Sequence, residues 1–163
     1  MNKTDIIKTL GLTEHREGGY FSRTYCSPLS IETDRTPPTR WLMTSIYYLL
    51  TDDRPIGHFH RNKSDILHYF HLGSPITYLI IHPAGELEKV VMGSDLLDGH
   101  RPQLLVKSGC WKASILESGD YGLISEAVAP GFEYEDSEIA DSETLKSTFP
   151  HLWGSIAACV AKY

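Results

Sequence analysis

Apolar positions recur at two spacings along this chain, and the change of spacing marks where helix gives way to strand. Over residues 4–10, Ile6, Ile7 and Leu10 share one helical face, with Thr4 placed to cap the turn and Gly11 to end it, which predicts a short opening helix. From Tyr20 to Phe132 the pattern becomes short β-rich runs. These are residues 40–50 (RWLMTSIYYLL), 76–81 (ITYLII), 86–92, 103–106, 111–117 and 121–128. His82-Pro83-Ala84-Gly85 separates two of them as a hairpin turn does, and Gly and Pro punctuate most other joins, among them Pro55, Gly73, Gly93, Gly109 and Gly119. Many short strands joined by Gly-rich turns predict an all-β sandwich or barrel, jelly rolls included. Residues 142–148 read as a helix capped by Ser142 or Asp141 and stopped before Pro150. The acidic run 133–143 (EYEDSEIADSE) is interleaved with Tyr134 and Ile139, so an ordered surface segment is expected there rather than a solvated tail.

Composition narrows the classes. A chain of 163 residues fits a single domain, 1–163, with its core over about 12–153. Fifteen Lys and Arg against twenty-one Asp and Glu leave a net charge of −6, and the densest basic stretch, Arg61 with Lys63, is flanked by Asp65. No nucleic-acid partner is expected from such a balance. No run approaches the roughly 20 apolar residues of a membrane span, and Asp5 and Lys8 interrupt the N-terminus where a secretory signal needs an apolar stretch. The expectation is a cytoplasmic protein with no membrane partner. Cys26, Cys110 and Cys159 are too far apart for a zinc knuckle or redox motif, and small buried residues are their expected role.

The most chemical stretch is GHFHRNKSDILHYFHLG, residues 57–73, which holds four of the eight histidines. In a strand, residues two apart share a face, so His58 and His60 could reach one point while Phe59 points away. A returning strand would carry Ile66, His68 and Phe70 on one face, and if that face is interior His68 joins the pair. Three neutral imidazoles with an open position suit a divalent metal, giving His58, His60 and His68 as the candidate ligands. Without metal, a single His steered by a carboxylate can act as general base near neutral pH.

Several separated blocks resemble the cupin superfamily, and more closely its Cupin 5 family. They are His15-Arg16-Glu17-Gly18-Gly19-Tyr20-Phe21, Thr44-Ser45-Ile46-Tyr47-Tyr48-Leu49-Leu50, His60-Arg61 with Ser64-Asp65, Phe70-His71-Leu72-Gly73, Pro102-Gln103, and Val128-Ala129-Pro130-Gly131-Phe132-Glu133-Tyr134-Glu135-Asp136. The resemblance implies a double-stranded β-helix, that is, a jelly-roll cupin barrel with short flanking helices. It also implies a small-molecule pocket in the barrel mouth and a homodimer. The fold it implies is similar to that of sugar-nucleotide epimerases of the deoxysugar pathway. Against the metal-binding pattern of the superfamily the chain departs twice: Ile66 stands where a Glu ligand is usual, and Lys112 where the second motif supplies a His. His68 occupies a position where the family usually has Trp.

Among single residues, Glu17 lies in a Glu-Gly-Gly turn from which its carboxylate could enter a pocket. Arg23 and Tyr25 alternate along a strand and could bind a hydroxylated or anionic ligand. Phe70, Trp111 and Glu133 are further candidates for lining the pocket, and Lys112, if interior, would be an unusual buried amine. Arg40 could pair bidentately with a ligand carboxylate or phosphate, but a surface salt bridge is expected. The resulting expectation is a cupin binding a small polar metabolite, with His68 among its ligand-binding residues and epimerase- or isomerase-like acid/base chemistry on His60 assisted by His58, His68, Glu17 or Tyr25. Two alternatives stand beside it: a non-catalytic binding module, and a metal-dependent oxygenase or lyase.

Overall fold

The computed structural model describes residues 1–161. The chain runs through α1 (Lys3–Leu10), β1 (Thr13–Glu14), β2 (Tyr20–Cys26), β3 (Ser30–Glu32), β4 (Thr39–Trp41), β5 (Thr44–Thr51), β6 (Ile56–Asn62), β7 (Asp65–Gly73) and β8 (Ile76–Ile81). It continues through β9 (Leu87–Met92), β10 (Gln103–Val106), β11 (Trp111–Ile115), β12 (Tyr121–Ala129), β13 (Ser137–Ile139), α2 (Ser142–Thr148) and α3 (Trp153–Ile156). Two antiparallel sheets face each other as a jelly roll. One has the order β1-β2-β5-β12-β7-β10 and the other β13-β6-β11-β8-β9, while β3 and β4 form a separate hairpin. The all-β expectation holds, with two distinct sheets rather than one closed cylinder.

Three apolar layers hold the sheets. Between them lie Leu50, Ile76, Ile80, Met92 and Ile124. Outside the five-stranded sheet, Phe59, Leu79, Ile81 and Trp111 pack under Leu145 of α2 and Ile156 of α3. Outside the six-stranded sheet, Leu49 and Leu123 pack against Ile6 of α1. β8 is therefore covered on both faces, and all six of its residues are buried. That is why ITYLII reads as a continuous apolar run without alternation. Each of its fully buried Ile side chains contributes about 1.5–3 kcal/mol.

Local expectations are met with instructive shifts. α1 is capped by Asn2 rather than Thr4: the Asn2 side chain accepts from the Asp5 amide while the Asp5 carboxylate accepts from the Asn2 amide, a reciprocal capping box. Residues 40–50 are not one strand. Their backbone changes partner at Leu42, whose amide donates to Leu29 O, so β4 joins the hairpin and β5 the large sheet. The hairpin turn before β9 is present, with Gly85 at φ 90°, and Asp141 caps α2 through the Thr144 amide. Cys110 and Cys159 are buried as expected, but Cys26 is exposed. It ends β2, where the chain leaves the sheet for the hairpin.

The acidic segment is ordered, and its Asp136 corrects the reading of Arg40. Arg40 is 2% exposed and forks onto Asp136, Nε to Oδ2 at 2.8 Å and Nη2 to Oδ1 at 3.0 Å, while Arg35 Nη1 reaches Oδ2 at 2.7 Å. A bidentate, doubly paired carboxylate is what makes a buried guanidinium tolerable. No helix among the described residues is long and apolar enough to cross a membrane.

Candidate functional site

Strand register brings five titratable side chains to the space between the sheets. On the five-stranded sheet His60 of β6 pairs directly with Lys112 of β11. On the opposing sheet His68 of β7 pairs directly with Glu126 of β12. Direct antiparallel partners project to the same face, so both pairs point inward and meet. The fifth group, Glu17, arrives on the turn before β2. There the Gly18 amide donates to His15 O, the His15 amide to Gly19 O, and the His58 amide of β6 to Glu17 O at 2.6 Å. Gly18 has φ 105°, and a Cβ there would stand 2.0 Å from Ile56 O, so only glycine lets the turn lie on β6.

Lys112 is 2% exposed, and its ammonium donates to His68 Nε2 at 2.6 Å and to Glu126 Oε1 at 3.1 Å. His68 is fully buried with Nδ1 3.2 Å from Leu104 O. A carbonyl only accepts, so Nδ1 carries the proton and Nε2 offers its lone pair to Lys112. Burial and the adjacent Lys112 charge both push the His68 pKa down, in keeping with a neutral ring. Burial alone would raise the Glu126 pKa, but the Lys112 ammonium outweighs it and holds the carboxyl well below its usual range.

Glu17 and His60 form the second cluster. His60 Nδ1 donates to His58 O at 2.8 Å, leaving Nε2 unprotonated and 3.2 Å from Glu17 Oε2. Two acceptors this close need a proton between them. Burial lowers the His60 pKa to about 4, aided by the Lys112 charge, and burial raises that of Glu17. Both shifts favour the uncharged forms, a protonated carboxyl beside a neutral ring. Ser137 Oγ donates to the other carboxyl oxygen at 3.3 Å, and His15 Nδ1 lies 3.5 Å from Oε2. Burial lowers the His15 pKa as well.

These groups line a narrow two-part cavity. Its outer part, about 40 Å³, runs from Phe21, Arg23 and Phe132 to Glu17, His60 and Glu126. Its inner part, about 20 Å³, continues past Tyr48 and Tyr78 to Lys112 and Ser114. Such a space admits a few waters or the reacting end of a small molecule. A wider cleft of about 280 Å³ beside Arg61, Lys63 and Glu138 is open surface, where charges pair in solvent.

Of the residues singled out from sequence, Glu17, His60, Lys112 and Arg23 line the cavity, and His68 stands directly behind Lys112. Phe70 packs in the inter-sheet core without lining the cavity. Tyr25 is 45% exposed on the far part of β2. Trp111 faces outward into the layer under α2 and α3, with Arg61 stacked 4.5 Å from its ring. Glu133 lines a separate surface cleft with Arg40 and Trp41. His58 lines neither part of the cavity. β6 holds one more residue between Gly57 and His60 than β11 holds between Lys112 and Ser114, and that bulge breaks the two-residue period on which the pairing of His58 with His60 depends. His58 serves the site through its backbone, whose N–H holds Glu17 and whose carbonyl holds His60.

Glu126, Tyr78 and His15 were not singled out by sequence reasoning as functional. Glu126 had a signal: in β12 it alternates with Ile124 and Val128, a charge on the apolar face.

The donor set does not fit a divalent metal. Among the described residues no group of three or more His, Cys, Asp or Glu is arranged to hold one. The lone pair of His68 and one oxygen of Glu126 are both turned to the Lys112 ammonium. A fixed organic cation stands where those two donors converge.

Three comparisons bear on this geometry. Residues 4–140 match the family model described as cupin superfamily (DUF985). An uncharacterised protein of Saccharomyces cerevisiae is 39% identical over 151 residues, covering 85% of this chain and 75% of the relative. Among solved structures, a protein of Shewanella oneidensis is 34% identical with a TM-score of 0.91, covering 100% of this chain and 99% of that one. A hypothetical protein from Leishmania major is 28% identical with a TM-score of 0.92, covering 99% and 100%.

Proposed function

The chain belongs to the cupin superfamily family DUF985, and from that premise we propose that it binds a small polar metabolite between its sheets and moves a proton on it, as an epimerase- or isomerase-like catalyst. The observation that carries this reading is the Glu17 and His60 pair, 3.2 Å apart at the wall of the narrow cavity between the sheets. Burial pushes the carboxyl pKa up and the imidazole pKa down. A catalytic carboxyl works best with its pKa raised toward the working pH, the direction in which burial moves Glu17. Positioned general acid/base catalysis contributes about 10²- to 10⁴-fold in rate.

The step is redox-neutral. The pair takes a proton from a carbon of the bound molecule and returns it to the other face or to a neighbouring atom, and nothing else need be transferred. The cavity admits only the reacting end, leaving the rest of the ligand at the mouth beside Arg23 and Phe132.

The test is proton NMR in D₂O with a panel of small hydroxy acids, oxo acids and aldoses. The expected result is wash-in of deuterium at one carbon with wild type, cut at least 100-fold by His60→Gln. Undiminished exchange in His60→Gln, with the fold intact, overturns the assignment.

A further inference from the structure

The inner end of the cavity holds hydrogen-bond donors that the protein itself does not satisfy. An ammonium has three N–H groups, and Lys112 directs two of them at His68 and Glu126. Among the described residues no acceptor takes the third. Tyr78 is 1% exposed, lines the same inner cavity, and its hydroxyl has no partner among the described residues. The two are held together. Tyr78 lies directly across from Ser114, two positions along β11 from Lys112, and its ring meets that of His68 edge-on at 5.0 Å. Ser114 lines the same end. Buried donors without acceptors are rare in folded proteins, and those gathered around one small void mark where an oxygen of a ligand sits.

We propose that this end is an oxyanion subsite, in which Lys112 and Tyr78 hold the carbonyl oxygen of a small carbonyl compound whose adjacent C–H faces Glu17 and His60. This rests on the proton-transfer reading above and names its substrate class. The electrons balance within the substrate. As the pair removes the proton, the C–H electrons form a carbon–carbon double bond and the carbonyl π electrons move to oxygen, giving an enolate. Return of the proton to carbon restores the carbonyl. The enolate oxygen gains charge beside a cation fixed in advance, so the interaction strengthens as the reaction proceeds.

Glu126 shapes the choice of ligand. Its carboxylate, 3.1 Å from Lys112, opposes a second negative charge at the inner end. A neutral carbonyl therefore goes inward, and any anionic group of the same molecule lies outward toward Arg23, which lines the outer cavity and among the described residues donates only to Phe132 O at 3.4 Å.

Pyruvate is a minimal probe of this class, with one carbonyl, acidic C–H groups beside it and one anionic end. Exchange of its methyl protons for deuterium is followed by proton NMR, and its binding by saturation-transfer NMR, for wild type, Lys112→Met, Tyr78→Phe and His60→Gln. Wild type is expected to bind pyruvate and accelerate exchange. Tyr78→Phe, which keeps the ring on His68, is expected to weaken binding and slow exchange at least tenfold, and Lys112→Met at least 100-fold. His60→Gln is expected to lose exchange while still binding pyruvate, which separates the base from the subsite. If folded Tyr78→Phe and Lys112→Met bind and exchange pyruvate as wild type does, the subsite is wrong even where His60 proves essential. If wild type neither binds pyruvate nor exchanges its protons, the carbonyl class is wrong, while the wider panel still decides the fate of His60.

Discussion

Lys112 of β11 donates to Glu126 of β12 at 3.1 Å, so one buried ion pair spans the space between the two sheets. Its side chains are 3% and 12% exposed. At that burial, removing one partner leaves an uncompensated charge. Glu126→Ala is expected to cost about 3–5 kcal/mol. The double variant Lys112→Met/Glu126→Leu is expected to cost less than that single change, because no charge is stranded. Urea denaturation of the variants gives the comparison, and additive losses would mean that the pair is not coupled.

Lys112 also blocks a metal centre that the surrounding donors would otherwise approach. Lys112→His removes the ammonium from His68 Nε2 and Glu126 Oε1 and supplies an imidazole near both, with His60 directly across the strand pair. The variant is expected to take up a divalent ion close to one per chain after exposure to Zn²⁺ or Mn²⁺ and removal of excess. Elemental analysis reads this directly. Equal metal content in the variant and wild type would show that the ammonium is not what excludes the ion.

The buried histidines set an acid limit on stability. His60 has a pKa of about 4 in the fold against about 6.5 unfolded. The unfolded chain therefore takes up the proton first as the pH falls, and stability that is fully present above about pH 6.5 drains away down to about pH 4. His15 and His68 are shifted the same way, while Glu17, shifted upward, works in the opposite direction and offsets part of the loss. Each uncompensated proton is worth about 1.4 kcal/mol per pH unit. Unfolding free energies measured from pH 7.5 to 4.5 should fall, and more gently in His60→Gln. A flat profile in wild type would show that these rings are not held neutral.

Gly18 is the pivot of the acid/base pair. With φ 105° and Ile56 O where a Cβ would go, Gly18→Ala cannot keep the Glu17 turn against β6. The expected result is a loss of about 1–3 kcal/mol in stability from strain, together with loss of whatever exchange activity Glu17 supports. Gly99→Ala makes a control, since a Cβ there meets nothing within 4 Å and shares only the positive φ. Comparable effects in both variants would trace the loss to backbone conformation alone and leave the contact with β6 without consequence.

Much of the architecture is legible in local pattern. The helices at 3–10 and 142–148, the strand at 76–81, the turn at Gly85 and the cap at Asp141 follow from periods, propensities and turn residues acting over a few positions. The interleaving of Tyr134 and Ile139 in the acidic run likewise signals order. Even Glu126 carries a local signal in the alternation of β12.

What the tertiary structure decided is which faces meet. Alternation says that His68 shares a face with Ile66, but not that this face opposes Lys112, since β7 and β11 lie in different sheets. The contact of Lys112 with His68 spans 44 positions and that with Glu126 joins two sheets, distances over which no sequence period runs. The bulge in β6 removed His58 from the partnership that an unbroken strand predicts, because one extra residue displaces the face of everything beyond it. Arg40 is buried for the same kind of reason: its stabilising carboxylate, Asp136, lies 96 positions away and becomes its neighbour only when the hairpin folds over. The sequence alone determined the strands, the turns and the stock of titratable side chains. Their pairing depends on contacts between sheets, and so does the shift of each proton affinity, because burial and opposing charge exist only once the sheets have closed.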